Sequence, residues 1–345
     1  NAKRTEVPEY VTQSGQTEHS TSRPKVGSPE DTYELGVYDI VGDTSYIVDT
    51  KQIDGIYDKP EFLKDYAGED FNPKYDDPRQ VTFNGPFFSE NSKAFVDVRS
   101  IDSKDRWLLM MDLKTGNLTT LDRQHDEAWI GGPGISSWKF YPGNLGWLDD
   151  ETIWFQSEET GYSHLYSMDI SSKKKKALTK GEFEIRDAKL SNDKKSFYIQ
   201  SNKVSPHVNH FYKMSVSGGA MTQITSKEGN HEVTLSPDEK WLAVRYSYAN
   251  KPWELYLMPN KAGAEMTQLT NSTTEQFNSY DWRAPQIINF KAEDGESVAA
   301  RLYKPENPSG AAVIFVHGAG YLQNVHNWWS TYFREYMFHN YLTDM

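Results

Sequence analysis

Apolar and polar residues alternate over most of this chain. Runs in which every second residue is apolar recur between Leu35 and Thr270, each followed by a polar or glycine-bearing turn. A period of two predicts half-buried β-strands. Laid under one another, the runs form a repeat. Leu35–Ile40 is the first unit. Trp107–Leu113 precedes Leu118–Leu121, and His164–Ile170 precedes Ala177–Thr179. His210–Val216 precedes Gln223–Thr225, and Glu254–Met258 precedes Gln268–Thr270. Between units lie stretches such as Val233–Val244, where Pro237-Asp238 marks a turn joining two more strands. Four strands per unit, at roughly 40 to 55 residues, predicts β-propeller blades. About five are visible, so the propeller is either complete or part of a larger one. A β-sandwich is the alternative.

The pattern changes near Ser279–Arg283. Ile287–Ala292 leads through Asp294-Gly295, a hairpin turn, into Val298–Tyr303. After a Pro- and Gly-containing loop comes Ala311–Val316, a continuous apolar run that predicts a buried parallel strand. His326–Tyr341 then predicts a helix whose stripe of Trp329, Phe333, Tyr336 and Met337 packs on a core. The expected architecture is mainly β. A propeller domain occupies 1–283, with N-terminal blades outside the chain left open. The first strands and helix of an α/β domain occupy 284–345.

Composition narrows the chemistry. The net charge of −12 argues against a nucleic-acid partner, which calls for a basic face. Lys173–Lys176 sits between strand-like segments and reads as a solvated hairpin loop. The chain has no cysteine, which excludes disulfides, thiol catalysis and thiolate-bound metals. His207 and His210 are an odd number of residues apart in a strand-like stretch, hence on opposite faces, so no metal pair is expected. No cofactor is implied. No apolar run approaches the roughly 20 residues needed to span a bilayer. No leader-type segment opens the chain at Asn1, which reads as a cut point.

The main chemical motif follows the apolar run: His317-Gly318-Ala319-Gly320-Tyr321. A His-Gly-x-Gly turn after a strand is how α/β-hydrolases aim a backbone N–H at an oxyanion. The expected donors are the N–H groups near Gly318 and Ala319, with Tyr321 a further candidate donor, and the His317 imidazole is expected to have a structural role, hydrogen-bonding the loop's backbone, with orientation of the oxyanion loop as the alternative. No Gly-x-Ser-x-Gly nucleophile elbow occurs anywhere in the sequence. Asp112 and Asp169, which close strands at repeat positions, read as turn or inter-blade hydrogen bonders. Asp126 and Glu127 read as a solvated loop, with attraction of a peptide N-terminus as the alternative.

Four stretches together resemble the prolyl oligopeptidase family, on its dipeptidyl peptidase IV-like branch. They are Arg23-Pro24-Lys25-Val26-Gly27 with Leu35–Asp39, Ser157–Tyr166 (Glu-x-Gly-x-x-His-Leu-Tyr), Asp294-Gly295 with its strands, and the His317–Gly320 loop. The resemblance implies a propeller capping a Ser-Asp-His hydrolase domain that cleaves peptides, with dipeptide release from N-termini one form of it. In family order the triad lies beyond Met345, and the Glu pair that holds a substrate N-terminus lies before Asn1. The chain alone is therefore expected to be inactive. Trp129-Ile130-Gly131-Gly132-Pro133 falls where relatives carry a Trp-x-Gly loop near the substrate. Trp129, Gly131, Gly132 and Pro133 are thus the candidate substrate contacts, although Gly132 and Pro133 replace an aromatic and an Arg. Expected partners are a peptide substrate and the rest of the catalytic domain, with a homodimer left open. The implied location is periplasmic or extracellular. A non-catalytic propeller binding module and an esterase using the same loop are the alternatives.

Overall fold

The computed structural model describes residues 2–29, 31–136, 138–318 and 322–345. They divide into two compact units, 1–131 with 137–142, and 132–136 with 143–345.

In the first unit, β1 (Thr5–Glu9) pairs with β2 (Glu18–Ser22), and β3 (Gly36–Asp39) with β4 (Thr44–Ile47). The first repeat of the sequence is therefore a two-stranded hairpin among the described residues. After a one-turn helix, α1 (Lys64–Ala67), comes a four-stranded antiparallel meander: β5 (Val81–Phe88), β6 (Ala94–Ser100), β7 (Asp105–Met111) and β8 (Leu118–His125). Every residue of β6 is buried. One face carries Val96 and Val98, which pack with Trp107, Leu109 and Met111 on Val48, Ile53 and Ile56. The opposite face buries charge beside hydrocarbon, with Asp97 and Arg99 next to Phe95 on β6 and Arg106 next to Leu108 on β7.

The second unit holds three meanders of the same kind. The first contains β9 (Leu145–Trp147), β10 (Thr152–Ser157), β11 (His164–Asp169) and β12 (Lys175–Ala177). The next contains β13 (Ile185–Leu190), β14 (Ser196–Ser201), β15 (His210–Ser215) and β16 (Thr222–Gln223). The last contains β17 (Asn230–Leu235), β18 (Trp241–Tyr248), β19 (Lys251–Pro259) and β20 (Thr267–Gln268). The alternating runs of the sequence are thus the third strands, and the short runs the fourth. Apolar side chains meet between successive sheets. Trp154 and Leu165 pack with Phe197, Ile199 and Tyr212. Tyr198 and Phe211 pack with Leu242, Val244 and Met258.

The repeated ending in Thr has a physical cause. Thr179 Oγ1 accepts the Leu165 N–H at 3.0 Å, Thr225 Oγ1 the Phe211 N–H at 3.0 Å, and Thr270 Oγ1 the Leu255 N–H at 2.9 Å. Thr179 and Thr225 clasp the start of the third strand, where a buried N–H left unpaired costs about 1–3 kcal/mol, and Thr270 clasps the middle of β19. The lysine run is not wholly a loop. Lys173, at φ +54°, turns the chain, whereas Lys175 and Lys176 open β12, and Lys175 pairs with Glu159.

Past the meanders, α2 (Glu275–Asn278) leads to the hairpin β21 (Gln286–Lys291) and β22 (Ser297–Leu302), with Gly295 at φ +89° in the predicted turn. Two expectations fail here. Ala311–Val316 forms no strand; Ile314 is 85% exposed and Val316 83%. Among the described residues no strand lies beside it to bond its backbone or cover its side chains. The final helix, α3, runs Phe333–Asp344 and not from His326. Residues 323–329 form an irregular, bent segment held against the meanders instead. Gln323 Nε2 donates to Pro206 O (2.7 Å), and His207 Nδ1 to Val325 O (2.8 Å). Asn327 N donates to His207 O (2.8 Å), and Trp329 N to Ser247 Oγ (3.2 Å). The α3 stripe narrows to Tyr336, which is 3% exposed and packs on Trp282, Tyr303 and Trp329 while donating to Arg283 O at 2.9 Å. Among the described residues no helix is long and apolar enough to cross a membrane.

Candidate active site

The Trp129 loop begins where β8 ends. Asp126 Oδ1 accepts the N–H groups of Ala128 (2.7 Å) and Trp129 (3.0 Å), an Asx turn that fixes the loop's entry, and Ile130 N donates to Ser103 O at 2.6 Å. Trp129 itself is 47% exposed. A Cβ on Gly131 would lie 2.5 Å from Trp129 Nε1, so the indole rests on bare backbone. Glu127 is tied down: its Oε1 lies 3.0 Å from His125 Nε2, and its Oε2 accepts the Glu61 N–H at 3.0 Å. On its other side, His125 Nδ1 lies 3.0 Å from the buried Asp105. Burial pulls the His125 pKa down, but Glu127 and Asp105 pull harder, and the net shift is upward.

Gly132 and Pro133 belong to the second unit and are held by residues that the sequence motif alone did not assign to them. Pro133 O accepts from Ser163 Oγ (2.7 Å) and Gln156 Nε2 (3.2 Å), and Gln156 Nε2 also reaches Ile185 O (2.7 Å). Gly132 sits at φ +141°, and a Cβ there would fall 2.0 Å from Glu158 Oε1. Glycine is required at this close approach of backbone to carboxylate. The hint in the sequence was the Ser157–Tyr166 motif, which supplies both Glu158 and Ser163.

In the oxyanion motif, Ala319 and Tyr321 lie outside the described residues. His317 is half-buried; its Nδ1 lies 2.8 Å from Gly318 O and its ring 6.2 Å from that of Tyr332. Gly318 is exposed, and a Cβ there would meet nothing within 4 Å. Two further imidazoles are buried and neutral at pH 7. Burial, with the charge of Arg301, pushes His326 down to about 3. Burial pushes His231 down to about 4, and its ring stacks at 5.1 Å on His210.

The hydroxyl–imidazole pairs Thr179–His164 (3.0 Å) and Thr225–His210 (3.2 Å) are buried, and both hydroxyls accept a strand N–H. They are clasps, not activated nucleophiles. Among the described residues no group of three or more His, Cys, Asp or Glu is placed to hold a metal ion. The arrangement thus offers loops and backbone donors for recognition, without a nucleophile–base pair.

Comparisons with known proteins agree with the meander architecture. Residues 1–253 match the family model of the dipeptidyl peptidase IV (DPP IV) N-terminal region. Dipeptidyl peptidase 4 of Arthroderma otae is 28% identical over 157 residues, 44% of this chain and 20% of that protein. A protein named probable dipeptidyl-aminopeptidase B, from Aspergillus oryzae, is 26% identical over 255 residues, 71% of this chain and 25% of its own length. The chain therefore spans a quarter or less of these relatives. The crystal structure of Porphyromonas gingivalis dipeptidyl peptidase 4 superposes with a TM-score of 0.69 at 16% identity, over 97% of this chain and 44% of that one. The chain belongs to the dipeptidyl peptidase IV-like branch of the prolyl oligopeptidase family, and its meanders are blades of that family's β-propeller.

Proposed function

We propose that this chain is the propeller and the opening of the catalytic domain of a serine peptidase. The observation that carries the reading is the family match over residues 1–253. The domains divide at residue 283: the blades form the substrate-admitting part, and 284–345 begin an α/β-hydrolase domain. The reaction is acyl transfer to a Ser nucleophile, with His as base and Asp as its orienter, all three outside residues 1–345. The backbone N–H groups of the His317–Tyr321 loop stabilise the tetrahedral oxyanion, and the Trp129–Pro133 loop contacts the peptide. Support comes from the sequence order of apolar run, His-Gly-x-Gly turn and following helix, which matches the hydrolase plan.

A fluorophosphonate probe and Xaa-Pro chromogenic dipeptides test this in two preparations. The 1–345 chain is expected to remain unlabelled and to turn over substrate no faster than a mock purification. A full-length polypeptide containing it is expected to label at one Ser and to release dipeptides. Stoichiometric labelling of 1–345 overturns the placement of the triad. A full-length protein that binds peptides without labelling is a binding module, and one that cleaves only esters is an esterase.

A further inference from the structure

Two half-buried arginines in the second unit make no ion pair among the described residues. Arg186 on β13 and Arg301 on β22 reach neighbouring residues of the segment that follows the His-Gly-x-Gly loop. Arg186 Nη2 donates to Gln323 Oε1 at 3.0 Å, and Arg301 Nη1 to Asn324 O at 3.4 Å. Three further donors are stranded: Arg186 Nε, Arg301 Nε and Arg301 Nη2 are buried and have no hydrogen-bond partner among the described residues.

A guanidinium stays protonated in proteins, so two positive charges persist here. No neighbouring group forms an ion pair with them. Tyr303 and Tyr336 are held above the ordinary phenol range by burial and are uncharged at neutral pH. Glu184 acts on Arg186 only through space, its Oε2 being turned to the Ser163 N–H at 2.6 Å. Both arginine charges bear on His326, which stays neutral. His326 Nδ1 accepts the Trp328 N–H, which leaves the ring proton on Nε2 and adds one more donor nearby. Buried, unpaired charge costs several kcal/mol, and stranded guanidinium donors in a native fold call for a ligand.

We propose that Arg186 and Arg301 form a binding site for an oxyanion, a carboxylate or phosphate that takes the stranded guanidinium donors in bidentate fashion. This geometry suits the guanidinium fork and not a point charge. The oxyanion has two sources, a small anion in solution or an acidic side chain of a longer polypeptide docking on the segment. The site stands on the two side chains and not on the peptidase reading.

Thermal melting with inorganic phosphate, against chloride at matched ionic strength, is the test. The 1–345 chain is expected to gain about 2–4 °C in Tm in excess phosphate. Arg301→Met should abolish the gain, and melt no lower than the parent in chloride because it removes an unpaired buried charge. Arg186→Gln should weaken the gain and covers the case in which the first variant fails to fold. In a full-length polypeptide, a persisting gain assigns the site to a dissolved anion, and a vanished gain assigns it to a side chain already seated there. No phosphate-specific gain in 1–345, or an undiminished gain in Arg186→Gln, overturns the proposal.

Discussion

The β5–β8 meander and the three meanders after it share a topology and an apolar core but differ in the polar chemistry they bury. In β5–β8 a buried ion lattice joins the strands. Arg106 Nε meets Asp97 at 2.7 Å, and Asp105 takes Arg79 Nη2 at 2.7 Å and Arg123 Nε at 2.9 Å. In two of the later meanders the same job falls to neutral pairs, a Thr hydroxyl on a strand N–H with an imidazole beside it, and in the last Thr270 has the Glu254 carboxylate beside it instead. The first solution fixes register through partners that must all be present at once. The second is modular, since each clasp serves a single sheet and its loss is local.

The largest expected effect breaks the lattice. Asp105→Ala removes the acid shared by Arg79, Arg123 and His125, leaving each only its outer partner, Asp102, Asp58 and Glu127 respectively, and losing one member of a buried charged set costs about 3–5 kcal/mol. Chemical denaturation should show β5–β8 unfolding at markedly lower denaturant. A change no larger than that of an exposed carboxylate variant would mean the lattice is no stabiliser.

Acid sharpens the contrast, because the two regions carry histidines shifted in opposite directions. His231 titrates at about 4 when folded and near 6.5 when unfolded. The unfolded chain binds the extra proton across that window, so stability falls as pH drops from 6.5 to 4, by a total on the order of 3 kcal/mol. His210 shifts the same way. His125 is raised, so its contribution is complete below its ordinary value and is lost as pH rises through the folded one. Between pH 7.5 and 5, hydrogen-exchange protection factors should drop for 230–248 and hold or rise for 105–125. Parallel behaviour of both segments would contradict this assignment.

The smallest effect tests a single clasp. Thr225→Val removes the acceptor of the Phe211 N–H and the partner of His210 while keeping the shape, at a cost of about 1–3 kcal/mol. Exchange should quicken in β15 and β16 and leave β10–β12 unchanged. A uniform loss across all three meanders would mean that the clasps are not modular.

The blades were legible because they are local: alternation fixes which face of each strand is buried, and the short runs ending in Thr mark where the clasp closes. The lattice was not, since Asp97 meets Arg106 only when β6 pairs with β7, and Asp105 meets Arg123 only when β7 pairs with β8. Ala311–Val316 misled because an apolar run encodes the wish for neighbours, not their presence. The helix start was displaced from His326 to Phe333 for a similar reason: Gln323, Val325, Asn327 and Trp329 spend their backbone or side-chain hydrogen bonds on distant residues, which periodicity cannot register. At the site, the Trp129–Pro133 loop could be located from its motif. The hold of Ser163 and Gln156 on Pro133 came from residues 23 to 30 positions away.

The bare stretch Val313–Val316 has a consequence for the chain in solution. It is apolar and uncharged, its β-branched Val313, Ile314 and Val316 are exposed, and no proline interrupts it. Such a segment is a template on which a second copy can pair edge to edge. The 1–345 chain should therefore be self-adhesive, growing turbid with concentration, and a single lysine within that stretch should keep it dispersed.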